Sequence, residues 1–166
     1  MKALLISFLI AVALYIALPD PANLGGVKGD TIDGITKDTV CVPGYAQQVR
    51  NVPESIKRAV YKRDKVDYPQ KNGTVEVDHY IPLSLGGSNN MSNLWVQFAP
   101  DFRKKDKVEY LAWRMLCKEP KETLKMAQDR VRNWKETYAN FFESKLGSIE
   151  LTELMAGYEE TDDGNP

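Results

Sequence analysis

The sequence predicts an α+β fold in which a strand–loop–strand unit leads into a helix and further helices flank it. Three observations carry that prediction. Val75-Glu76-Val77-Asp78 alternates apolar and acidic side chains, the two-residue period of a strand with one buried face. Gly86-Gly87-Ser88-Asn89-Asn90 is a turn of residues that tolerate positive φ, and Asn93-Leu94-Trp95-Val96-Gln97 reads as the returning strand. From Asp101 onward the apolar residues recur at helical spacing.

Each element follows in order. The chain has 166 residues, enough for one domain with a real core plus extensions. Met1-Lys2 precedes a run from Ala3 to Leu18 that is apolar except for Ser7. Residues 1–18 therefore read as an export signal, or else as an uncleaved membrane anchor. Residues 19–40 carry Pro, Gly, Asp and Thr without periodicity and read as a linker, so the folded domain is expected over 41–146. Pro53-Glu54-Ser55 opens a short helix. Ile56, Ala59 and Val60 form its buried stripe, with Lys57, Arg58, Lys62 and Arg63 around the rest. In the helix after Pro100, Asp101 is placed to cap, and Val108, Leu111, Ala112, Met115 and Leu116 face the core. Lys105 and Glu109 share another face, as a plain salt bridge or as part of a site. Pro120 to Phe142 reads as a second long helix with Leu124, Ala127, Val131, Trp134, Tyr138 and Phe141 as its core stripe. Residues 147–166 form an acidic tail that has little to bury and is expected to be mobile.

The net charge of −1 hides an asymmetry. From Cys41 to Ile149 basic residues exceed acidic ones, whereas the stretch from Glu150 to Pro166 is acidic with no Lys or Arg. A basic body suits a polyanionic ligand, though a modest excess is also ordinary surface chemistry. Two cysteines and one histidine exclude a self-contained structural zinc site, which needs about four ligands. Export would place Cys41 and Cys117 in an oxidising compartment, where a bridge between them would form and persist.

The chemistry converges on Asp78-His79, at the end of the first predicted strand. Hydrolysis of a phosphodiester needs a base for the attacking water and a cation to stabilise the developing charge. His79 is the only imidazole in the chain, and imidazole titrates near neutral pH. Asp78 offers an oxygen ligand, the kind that hard divalent ions prefer.

This stretch resembles the HNH (ββα-metal) nucleases in Asp78-His79, in Ile81-Pro82-Leu83 and Gly86-Gly87, and in Asn93-Leu94-Trp95. Lys105-Asp106 with Glu109, Cys117, Ala127-Gln128 and Trp134 extend the likeness to a group of small exported bacterial HNH proteins. Cys41 with Pro43-Gly44-Tyr45 resembles that group's usual beginning. The resemblance implies a ββα-metal core with flanking helices, with His79 as general base and Asp78 as metal ligand. In the family the Asn matching Asn93 orients the His and fixes the loop. The resemblance also implies a divalent cation, Mg2+ or Mn2+, and nucleic acid as partner, DNA before RNA. An exported protein of this kind would be periplasmic or secreted, with possible membrane attachment through residues 3–18.

One position departs from the family, which usually places a His or Asn on the helix as its third letter. Here Asp101, Phe102 and Arg103 occupy that region. Asp101 and Glu109 are the oxygen donors expected to complete the metal set, and Lys105 and Arg103 the cations expected to meet phosphate. The competing expectation is a non-catalytic nucleic-acid-binding or structural envelope protein with the same fold. Nothing in the sequence sets an oligomeric state.

Overall fold

In a computed structural model the chain is described at residue 27, over 29–144 and over 148–158. The elements are α1 (Lys37–Val40), α2 (Tyr45–Val49), α3 (Glu54–Arg63), β1 (Val75–His79), β2 (Leu94–Phe98), α4 (Asp101–Lys118), α5 (Leu124–Arg132), α6 (Trp134–Tyr138) and α7 (Ser148–Leu154). The class is α+β, as the periodicities predict. A five-residue π turn, Ala139–Glu143, follows α6.

β1 and β2 pair antiparallel, from Val75 opposite Phe98 to His79 opposite Leu94. Residues directly opposite each other share a face, so the register sorts the sheet into two sides. Val75, Val77 and His79 share one side with Leu94 and Val96, and Val60 and Tyr61 of α3 pack there. Glu76 and Asp78 share the other with Gln97 and Trp95, and α4 covers it. Beyond α4, the larger core joins Val108, Ala112 and Leu116 to Ala127 and Val131 of α5 and Trp134 of α6. Gln128 Nε2 donates to Leu85 O at 2.9 Å, so α5 also holds the loop between the strands. Cys41 and Cys117 form a disulfide that joins the end of α1 to the last turn of α4, across a sequence separation of 76.

Several expectations change. Residues 29–40 were expected to be linker, yet Thr31 bridges Gly87, Ile32 N donates to Gly86 O at 2.9 Å, and Val40 is buried in the larger core. The folded body therefore begins by residue 29, because the backbone of the Gly-rich loop gives this irregular segment something to pair with. The expected single helix from Pro120 to Phe142 breaks at Asn133. There the side chain donates to Asp129 O at 3.0 Å and competes with the helical ladder. Asp101 does not cap α4; Pro100 holds that position without a side-chain hydrogen bond. Arg63, outside the apolar stripe of its helix, is turned inward: it donates to Met91 O at 2.6 Å and Leu94 O at 2.5 Å. Its neighbour Asp64 accepts from Val96 N at 2.8 Å, so the pair fastens α3 to β2. The tail is ordered further than its composition suggests. Leu154 is buried, and Tyr110 donates its hydroxyl proton to Ala156 O at 2.9 Å. The apolar segment 1–18 and the acidic end from residue 159 lie outside the described residues. Among the described residues no helix is long and apolar enough to cross a membrane.

Candidate functional site

The loop joining β1 to β2 is tied into one shape by its own sequence. Gly86 adopts a left-handed φ of 78°, which glycine adopts without steric penalty. A Cβ on Gly87 would lie 1.8 Å from Ile81 O, so only glycine lets the two backbones approach. Asn93 closes the loop from the other end. Its Oδ1 accepts from Ile81 N at 2.9 Å, and its Nδ2 donates to Ile81 O at 2.9 Å and Ser88 O at 2.8 Å. Asn93 is completely buried, and all of these partners are backbone groups of the loop. It thus fixes the loop, while the contact to His79 comes from elsewhere.

That contact is Asn89, which the sequence reading assigned only to the turn. Its Oδ1 lies 3.2 Å from His79 Nε2. Two backbone groups set the orientation of the Asn89 amide: Asn51 N donates to Oδ1 at 3.2 Å, and Nδ2 donates to Val49 O at 2.8 Å. An acceptor therefore faces His79, Nε2 carries the imidazole proton, and Nδ1 keeps its lone pair. Burial pushes the His79 pKa below its ordinary value, and the positive charges of Arg50 and Lys105 push the same way against Asp78. The ring is neutral at pH 7, the form that accepts a proton. A sequence pattern could have found Asn89 only through the turn geometry that folds it back on the strand end.

On the other side of β1, Asp78 belongs to a buried ionic cluster. Lys105 is fully buried, and its ammonium donates to Asp78 Oδ2 at 2.5 Å, to His79 O at 2.8 Å and to Glu109 Oε1. Asp78 Oδ1 accepts from His79 N at 2.7 Å. Burial alone would lower the Lys105 pKa, but Asp78 and Glu109 outweigh it and the net direction is up. Lys105 therefore stays charged. Burial pushes the Glu109 carboxyl up to about 8 against the pull of Lys105. Glu76 is likewise pushed up to about 8, first by burial and then by Asp78, while Lys105 and Arg103 pull it down.

A cavity of about 440 Å³ opens along the edge of β1 that has no partner strand among the described residues. Glu76, Asp78 and His79 line it, and Arg50 and Lys57 are in the same lining. Of the residues singled out from sequence, Asp78, His79, Lys105 and Glu109 come together. Arg103 lies close enough to act on Glu76. Asp101 opens α4 and makes no hydrogen bond or ion pair with Asp78, His79 or Lys105. Lys105 faces carboxylates inside the protein, not the cavity.

The expected metal set of Asp78, Asp101 and Glu109 does not assemble. Among the described residues no three His, Cys, Asp or Glu side chains converge as a metal site, and Glu109 is engaged by Lys105. A hard cation does fit the chemistry of Asp78 and Glu76, two carboxylates on one strand face that open into the cavity. The chain matches no protein-family model, no curated protein and no solved structure.

Proposed function

We propose that this protein is a metal-dependent HNH-type nuclease that hydrolyses phosphodiester bonds of nucleic acid, with DNA as the first substrate to test. The observation that carries the reading is His79: a single, neutral imidazole at the rim of a groove, with its tautomer set by Asn89. Strand, loop, strand and helix follow one another in the order of a ββα unit, with Asp78-His79 at the end of β1. His79 Nδ1 takes the proton of the attacking water as its oxygen bonds to phosphorus and the bond to the leaving oxygen breaks. Asn89 holds the ring so that Nδ1 is the free nitrogen. Arg50 and Lys57 give the groove cations for the phosphate backbone. A divalent ion such as Mg2+ or Mn2+, held by Asp78, supplies charge stabilisation at the phosphate when bound.

The test is plasmid cleavage in Mg2+ by the full chain. His79→Ala should lower the rate by about a hundredfold or more, the range of a general base, and Asn89→Ala by less. His79 is buried, so His79→Ala should lose about 1–3 kcal/mol of stability and still unfold cooperatively, which separates lost cleavage from lost fold. Unchanged cleavage by purified His79→Ala overturns the reading. A second reading, nucleic-acid binding without hydrolysis, is favoured by the Lys105 ammonium already held on Asp78. Salt-sensitive DNA retention with no cleavage in any divalent ion would select it.

A further inference from the structure

Gln97 is only 3% exposed, yet neither its Oε1 nor its Nε2 has a hydrogen-bond partner among the described residues. A buried side-chain amide left this way costs about 1–3 kcal/mol for each unsatisfied group. The register places Gln97 directly opposite Glu76, which puts their Cβ atoms on one face at about 5 Å separation. Among the described residues no hydrogen bond reaches the half-buried Glu76 carboxyl, which also lines the cavity. One register step along, Trp95 lies opposite Asp78, and its Nε1 is also buried without a partner.

We infer that Glu76, Asp78 and Gln97 form a divalent-cation site on this sheet face, with Gln97 Oε1 as the third protein ligand. The inference deepens the nuclease reading and rests on it for the role of the ion. It moves the third ligand from α4 to β2; Lys105 engages Glu109 and also Asp78 Oδ2 at 2.5 Å, so Asp78 would meet the ion through Oδ1. Carboxylate and amide oxygens are the donors that Mg2+ and Mn2+ take, and on the β1 side Glu76 and Asp78 also line the cavity, where water can reach them. Gln97 Nε2 would then be free to donate to the Glu76 carboxylate, which resolves both orphaned atoms of the amide together.

Terbium is the probe, because it takes oxygen ligands and emits when a nearby indole passes on its excitation. Trp95, opposite Asp78, is placed to do this. The full-length protein should show tryptophan-sensitised terbium emission that Mn2+ displaces. Glu76→Gln and Gln97→Met should each weaken terbium affinity by at least about tenfold to a hundredfold, the loss seen when a metal's supporting groups are removed. Gln97→Glu keeps an oxygen donor and should keep the affinity, so a folding defect in the Met variant cannot imitate the result. Unchanged affinity in both Glu76→Gln and Gln97→Met, or no sensitised emission from the unmodified protein, overturns the site. The nuclease reading fails separately, through unchanged cleavage by His79→Ala. Metal lost from Glu76→Gln while His79→Ala still cleaves would keep this site and reject the catalytic role.

Discussion

Asn93 and Gln97 are both buried and end in the same amide group, yet their surroundings differ completely. Asn93 makes three hydrogen bonds to the backbone of its own loop, and the Gln97 amide in β2 makes none among the described residues. The same contrast holds for the imidazole and the carboxylates. His79 Nε2 is met by an amide whose direction is fixed, whereas among the described residues no hydrogen bond reaches the Glu76 carboxyl across from Gln97. The loop is closed upon itself and positions the strand end. The adjoining sheet face has donors and acceptors that the described residues do not satisfy, and an ion bound there would satisfy them. Three measurements test that difference.

The largest effect is expected in the loop. Asn93→Leu leaves Ile81 N and the carbonyls of Ile81 and Ser88 without their partner inside the protein. Each orphaned group costs about 1–3 kcal/mol, so the variant should lose at least about 3 kcal/mol in urea unfolding. A loss below about 1 kcal/mol would mean that the loop keeps its shape without the clasp.

The second effect belongs to the carboxyls of the face, in chelator so that protons alone titrate them. Glu76 and Glu109 are held near 8 in the folded chain against an ordinary 4.5. Between those values the folded state binds more protons than the unfolded state, so stability falls as pH rises. Each group contributes a slope of up to about 1.4 kcal/mol per pH unit. His79, pushed below its ordinary 6.5, acts in the opposite sense only below that pH, which leaves pH 6.5 to 8 as the clean window. Glu76→Gln should remove one share of the slope. A slope that Glu76→Gln leaves unchanged would show that Glu76 is solvated enough to ionise normally.

Much of this arrangement was legible in the sequence. The two-residue period placed Glu76 and Asp78 on one face and Val75 and Val77 on the other, and the register agrees. Cys41 and Cys117 were the one possible pair, and they are bridged. The spacing of Lys105 and Glu109 gave their contact but not its depth, because helical periodicity cannot report that Asp78 lies over the same turn. Asn89 and Gln97 were invisible for a different reason. Their importance arises from cross-strand register and from a loop that folds back, neither of which is a local pattern. Residues 29–40 read as linker because they pair with a loop more than fifty residues away, through backbone groups that composition does not record.

The smallest effect is the one that separates the two amides most cleanly. Gln97→Met replaces a buried amide by an apolar chain of similar length, a change that by volume alone costs under about 1.5 kcal/mol. Since the amide makes no hydrogen bond among the described residues, removing it relieves desolvation, and in chelator the variant should match or exceed the unmodified protein by about 1 kcal/mol. Adding Mn2+ should then raise the unfolding temperature of the unmodified protein, as any ligand that binds only the folded state does, and leave the variant nearly still. The sign in chelator decides the comparison. If Gln97→Met is destabilised as strongly as Asn93→Leu, Gln97 has a partner within the chain and the two amides play the same structural role. If it is unharmed without the ion and insensitive to it, the contrast between a self-sufficient loop and a cation-dependent face holds.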